Sequence, residues 1–308
     1  MRSLLNALLS VALVVVPLAS EAQHLNPMIP LHEKGLPVFG VTHPAIRAGG
    51  RGRGNAAPDA PPPPPIDLAA AAKATLDYKF SDFQYATSAS DPYADYMREI
   101  IKAGGSAKTH AFMEKIPIWH ANPETANRAL IHQLNLGQVG VMMQEVASAQ
   151  EIRDVAKAAR FESAGGTRPD TGIELAAQYW GMKPQDYKKK ADVWPLNKNG
   201  EIIIWAIVES KEGLANVEEI AKEPAATVIW AGYGTLGQVF RGDPDGREQA
   251  AQTILAACKK FKKPCGFPVN NTTDLAQRMK EGWSVFVFQA RGDSAFAGID
   301  AGRKAGGR

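Results

Sequence analysis

An α/β fold, a (β/α)8 TIM barrel, is what this sequence predicts, and three observations carry the prediction. The first is Glu201 to Ser210, in which Ile202 to Val208 form an unbroken apolar run between Asn199-Gly200 and the carboxylate of Glu209. A short, β-branched run without polar alternation reads as a strand buried on both faces, as in a parallel sheet. The second is that such runs recur eight times, separated by segments with helical spacing, which implies parallel strands joined by helical crossovers. The third is length: 308 residues fit one full barrel. A doubly wound open sheet is the second choice, and no GxGxxG follows the first strand to support it.

Taken in order, residues 23–35 read as irregular. Pro37 to Val41 form the first strand, ending at Thr42-His43-Pro44. Residues 47–65, rich in Gly-Arg and closing on Pro61 to Pro65, cannot pack a core and read as an insertion in the first strand-to-helix connection. Ile66 to Thr75 is an alanine-rich helix. Leu76 to Asp82 alternates apolar and polar residues and reads as the second strand. Asp91 to Ala103 is helical, with Tyr93, Tyr96, Met97, Ile100 and Ile101 on one face and Gly104-Gly105 as its stop. Ala107 to Phe112 is expected to be the third strand, carrying His110. Pro123 to Leu134 is a helix, Val139 to Met143 the fourth strand, and Ile152 to Ala159 a helix. A long mixed stretch over 165–199 precedes the strand at 202–208. The remaining alternation is a helix from Asn216 to Lys222, a strand from Ala226 to Trp230, a helix from Arg247 to Phe261, a strand from Cys265 to Val269, a helix from Thr273 to Lys280, a strand from Ser284 to Phe288, and a last helix from Ser294 to Lys304.

Composition narrows the function classes. A net charge of +3 gives no footprint for nucleic acid. Residues 1–22 have the form of a secretory signal peptide: Met1-Arg2, an apolar Leu4 to Leu18, and the small-x-small Ser20-Glu21-Ala22. Cleavage after Ala22 would export a single domain, 23–308, to the periplasm or beyond, with no stable membrane span; an uncleaved anchor is the alternative. Export would permit a disulfide between Cys258 and Cys265, although two separately buried thiols is the preferred reading.

In a barrel, residues that end the strands converge on one face. The expected ends present His43, Asp82, His110, Gln144-Glu145, Glu209, Gly232 to Gly234 and Asn270-Asn271. Glu145 and Glu209, with Asp82 opposite, could hold a hard divalent cation such as Mg2+ or Mn2+, with Co2+ or Zn2+ as substitutes. Such an ion would polarise a carbonyl and stabilise an enolate. Each acid could instead pair with Arg168 or a lysine, Glu209 could simply open a solvated loop, and His110 could be a structural histidine. Trp119, Tyr179, Trp180 and Trp230 could line a pocket or pack the core. No lysine falls inside an expected strand ending, which argues against Schiff-base chemistry.

Leu76-Asp77-Tyr78 through Asp82-Phe83-Gln84-Tyr85, Gly137 through Gln144, Arg160-Phe161 to Arg168, and the run Val208-Glu209-Ser210-Lys211-Glu212-Gly213-Leu214-Ala215-Asn216 resemble the HpcH/HpaI aldolase and citrate lyase family. The resemblance spans about 37–290 and is strongest over 137–240. It implies a pyruvate-kinase-like barrel, a homo-oligomer, and metal-dependent lyase chemistry that makes or breaks a carbon–carbon bond to a pyruvate enolate. Under it, Glu209 falls on the first metal carboxylate and Asp82 on an acid of the second-strand motif. The general-base histidine falls on Tyr85. The enolate-binding arginine of the third strand has His110 as its nearest counterpart. The second metal carboxylate falls on Gly234.

Two functions follow. One is an exported lyase acting on a 2-oxo acid and an aldehyde. There Glu209 and Glu145 bind metal, Gln144, His43, Gly232 and Gly234 bind substrate, Tyr85 or His110 moves the proton with Asp82 beside them, and Arg168 or a loop arginine meets a carboxylate. The other is a catalytically inactive barrel that binds a small anion or a protein partner.

Overall fold

The computed structural model describes residues 24–42, 67–78, 81–86, 93–289 and 293–308. Eight parallel strands close into a barrel in sequential order. They are β1 Val38–Thr42, β2 Phe83–Ala86, β3 Phe112–Ile116, β4 Gly140–Met143, β5 Ile203–Val208, β6 Val228–Ala231, β7 Cys265–Val269 and β8 Val285–Phe288. β1 closes the ring against β8, with Val38 beside Val285 and Val41 beside Phe288. All six residues of β5 are buried, as its apolar run requires.

Two strands depart from the sequence reading. Leu76 ends the helix Leu68–Leu76 rather than opening a strand, and β2 begins only at Phe83. The expected third strand ends at Phe112, where β3 begins. Both shifts carry the expected strand-end residues to the other end of the barrel. The mixed stretch over 165–199 resolves into the helices Glu174–Tyr179 and Pro184–Lys190. The segment before β1 contains the short helix Ile29–Glu33. The insertion at 47–65 and the leader lie outside the described residues.

Aromatic rings fill the barrel interior. Trp205 of β5 stacks on Trp230 of β6 with ring centroids 5.5 Å apart, and Phe83 of β2 meets Trp205 edge-on at 4.8 Å. Large rings at this level need a small residue on a neighbouring strand. A Cβ on Gly266 of β7 would lie 2.0 Å from the Trp230 ring, so only glycine fits there. Tyr179 and Trp180 are likewise core residues, their polar atoms bonded to the carbonyls of His110 and Gly137.

The floor of the barrel is sealed by the N-terminal segment. Asn26 donates its backbone N–H to the fully buried Glu201 carboxylate at 2.9 Å, and its side-chain amide reaches the carbonyls of Val139 and Glu201. At the same end, Cys258 and Cys265 form a disulfide with Cα atoms 5.8 Å apart, which replaces the preferred reading of two separate thiols. The bond ties the end of helix Pro244–Phe261 to the start of β7. No helix among the described residues is long and apolar enough to cross a membrane.

Candidate active site

The C-terminal ends of the strands surround a cavity of about 160 Å³. Its polar lining includes Tyr85 from β2, Lys115 from β3, Glu209 just after β5, and Gln289 just after β8; Trp230 and Met142 supply apolar wall. This is the end of a TIM barrel at which chemistry resides.

Glu209 follows the last residue of β5, and only 6 % of it is exposed. The backbone N–H of Glu145 donates to its Oε1 at 3.1 Å. That donation uses an uncommon backbone: Glu145 has φ 51, the left-handed region, which costs a non-glycine residue about 1 kcal/mol. Across the carboxylate, a Cβ on Gly232 would lie 2.4 Å from Glu209 Oε2. The left-handed Glu145 and the bare Gly232 together let a charged group settle into a tight place between β4, β5 and β6.

Lys115 is the site residue that sequence reasoning missed. It stands next to Glu114 on β3, and strand alternation turns the two in opposite directions. Lys115 lines the cavity, while Glu114 is fully buried on the other face of the sheet. Among the described residues the Lys115 ammonium has no hydrogen-bond or ion-pair partner. Glu114 is buried beside the amide of Gln138, and the buried amide of Gln84 has no hydrogen-bond partner among the described residues. Burial pushes the Glu114 carboxyl up to about 7, with the nearby Gln138 amide offsetting a little of that rise.

The predicted site residues divide into three groups. Tyr85, Glu209, Gly232 and Gly234 line the cavity. Gln144 and Glu145 lie on its rim: Gln144 donates to the carbonyl of Ile116 at 2.8 Å, tying the ends of β3 and β4, and Glu145 reaches Glu209 through its backbone. Asp82, His110 and Arg168 lie at the opposite end, and this is a correction.

Asp82 precedes β2. It accepts from the backbone of Phe39 and from Arg303 and Arg308 at 2.7–2.9 Å, so it clasps the C-terminal helix to the floor. His110 precedes β3, its ring nitrogens beside Thr109 and the carbonyl of Leu76. Arg168 is wholly buried after the helix Ala149–Ala159, donating to Asn135 and Tyr187 and lying 4.3 Å over the Phe161 ring. Asn271 caps the helix Thr272–Glu281 instead of facing a ligand. His43 lies outside the described residues.

The donor set bears on the expected metal. Among the described residues that line the cavity, Glu209 is the one carboxylate, and Gly234 stands nearby in the same lining. No group of three or more His, Cys, Asp or Glu side chains converges as a metal site among the described residues. Glu209 accepts the backbone N–H of Glu145, which sets the ends of β4 and β5 side by side at this mouth.

Known proteins share part of this sequence and this fold. A 2-dehydro-3,6-dideoxy-6-sulfogluconate aldolase from Pseudomonas putida is 28% identical over 147 residues, which is 46% of this chain and 53% of that enzyme. The match therefore spans about half of that curated relative. An HpcH/HpaI aldolase/citrate lyase family protein from Burkholderia cenocepacia J2315 shares the fold with a TM-score of 0.63 at 20% identity, covering 91% of this chain and 97% of that one. An HpcH/HpaI aldolase from Desulfitobacterium hafniense DCB-2 does so with a TM-score of 0.61 at 13% identity, covering 90% and 95%. The profile of the HpcH/HpaI aldolase/citrate lyase family matches residues 116–277, more than half of the sequence and the part that builds β4 to β7 with Glu209 among them, and the chain belongs to that family.

Proposed function

We propose that this protein is a carbon–carbon lyase that makes or breaks the bond next to the carbonyl of a 2-oxo acid. The observation that carries the reading is the convergence of Glu209, Tyr85 and Lys115 in one cavity at the C-terminal mouth of an aldolase-family barrel. Lys115 supplies the positive charge that draws an acidic substrate. Gln289 and Thr235 offer hydrogen bonds to its carboxylate. Glu209, held by the Glu145 N–H, takes the proton of the substrate hydroxyl when the bond breaks, and Tyr85 donates to the carbonyl oxygen. The curated relative, an aldolase named for a 2-dehydro acid, supports this substrate class, with an aldehyde as the second product.

A divalent ion, Mg2+ or Mn2+, would polarise the same carbonyl. Glu209 alone faces the cavity to hold it, so no step is routed through an ion here. The form of residues 1–22, together with the Cys258–Cys265 disulfide, supports export to an oxidising compartment. A homo-oligomer is proposed from the family resemblance, and light scattering on the purified protein would measure it.

Thermal melting with pyruvate, in EDTA and then with each metal, tests the binding half of this reading, because a ligand of the folded state raises the melting temperature. A pyruvate-dependent rise that Glu209→Gln or Lys115→Met removes is expected. No rise under any condition would sink the assignment. Binding without turnover would favour the inactive, anion-binding barrel.

A further inference from the structure

Tyr233 opens the helix Tyr233–Val239 and lines the strand-end cavity together with Gly232, Gly234 and Thr235. The place of this wall matters to Glu209. A Cβ on Gly232 would lie 2.3 Å from the Glu209 Cβ, so the wall and the acid are in direct contact and neither shifts without the other. Helices outside the barrel grip Tyr233 at three points. Arg247, near the start of the helix Pro244–Phe261, donates from Nε and Nη2 to the Tyr233 carbonyl at 2.9 and 2.6 Å. The same guanidinium lies 3.6 Å over the Tyr233 ring. The Tyr233 hydroxyl donates to Glu248 at 3.1 Å. Glu248 is itself anchored, accepting from both terminal nitrogens of Arg278 at 2.6 and 2.9 Å, and Arg278 holds its carboxyl down at about 2, so it stays charged. Gly237, one turn along, makes room for the fork: a Cβ there would lie 3.1 Å from Arg247 Cζ. A planar group that bonds a carbonyl with two donors while stacking on a ring is a use of arginine that lysine cannot match.

We propose that Arg247 is a positioning residue of the strand-end site, fixing Tyr233 and through it the Gly232–Thr235 wall against which Glu209 rests. This rests on the lyase reading above and names what holds its geometry. Arg247 is not part of the cavity lining, so it acts through Tyr233 and not on the substrate. Without the fork, the Tyr233 side chain keeps the Glu248 bond and its contact with Phe267 at 4.7 Å, but the wall loses the group that pins its backbone. A small displacement of groups set around a reacting centre lowers rate before it lowers binding. A mere staple between helices would change stability alone.

Arg247→Met keeps the length of the side chain and removes the fork; Arg247→Lys restores the charge and one donor. The full proteins, with Mg2+ present, are compared for exchange of the pyruvate methyl protons in D2O, for melting temperature, and for amide deuterium uptake over residues 231–240. In Arg247→Met, kcat for exchange should fall about 10- to 100-fold while KM changes less than about threefold. Deuterium uptake should rise over 231–240 and nowhere else in the barrel, and the melting temperature should drop by no more than about 6 °C. Arg247→Lys should recover part of the lost rate. An unchanged kcat, a loss expressed only in KM, or unchanged deuterium uptake would overturn the positioning role and leave the lyase reading intact. A wild-type protein that neither binds nor exchanges pyruvate would overturn the lyase reading, and the role in that reaction with it.

Discussion

Glu114 should make the protein less stable as pH rises, and the effect can be sized. Its carboxyl is fully buried between the sheet and the surrounding helices, with only the Gln138 amide nearby to offset the loss of water. Its pKa stands at about 7 in the fold against an ordinary 4.5. A group whose folded pKa is raised adds stability fully below its unfolded pKa, and that stability is lost as pH climbs through the folded pKa. The window therefore runs from about pH 4.5 to about pH 7. The full span is worth about 3 kcal/mol, on the order of 6 °C in melting temperature for a domain of this size. Glu114→Gln keeps the shape and removes the titration. At about pH 5 the variant should match the wild type within roughly 1 kcal/mol, and at about pH 8.5 it should be more stable by about 3 kcal/mol. Urea unfolding of both proteins at the two pH values reads the difference, and the other titrating groups cancel between them. The same pH dependence in both proteins would refute the claim that burial raises this carboxyl.

Three further outcomes follow from the placements. Asp82→Asn should destabilise by about 2–4 kcal/mol by releasing Arg303 and Arg308, with kcat and KM unchanged; a loss of kcat in a stably folded variant would return Asp82 to the site. Glu145→Gly relaxes the left-handed backbone but keeps the N–H that holds Glu209, so activity should persist and stability should rise by up to about 1 kcal/mol; an inactive variant would mean that the Glu145 carboxylate itself takes part. Tyr85→Phe should lower kcat far more than it changes KM, and an unchanged kcat would remove Tyr85 from proton transfer.

The sequence made the barrel legible because its strands were mostly buried on both faces. β5 could be read to within a residue, and with it Glu209 and the neighbouring Gly232 and Gly234. β2 and β3 resisted for a physical reason. β3 contains Glu114-Lys115, one ionisable group buried and the other turned into the mouth, so the strand looks like a loop. The apolar stretch around Ala107 to Phe112 drew the assignment instead. β2 carries Gln84, a buried amide on the helix-facing side, and the alternation of Leu76 to Asp82 imitated a strand where the chain is finishing a helix. Each slip moved an expected strand tip to a strand base, which put Asp82 and His110 on the wrong end and concealed Lys115. Features that break local patterning are where function and strain concentrate, and here the broken pattern at β3 coincided with the site.

Proton exchange at the third carbon of pyruvate tests the central claim most directly, because an enolate requires it and does not need the unidentified aldehyde. Pyruvate would be held in D2O with the protein, and the loss of its methyl proton signal followed by NMR. The account predicts exchange that is protein-dependent and abolished by Glu209→Gln. A methyl signal that stays constant with the wild-type protein, with and without added metal, would contradict it.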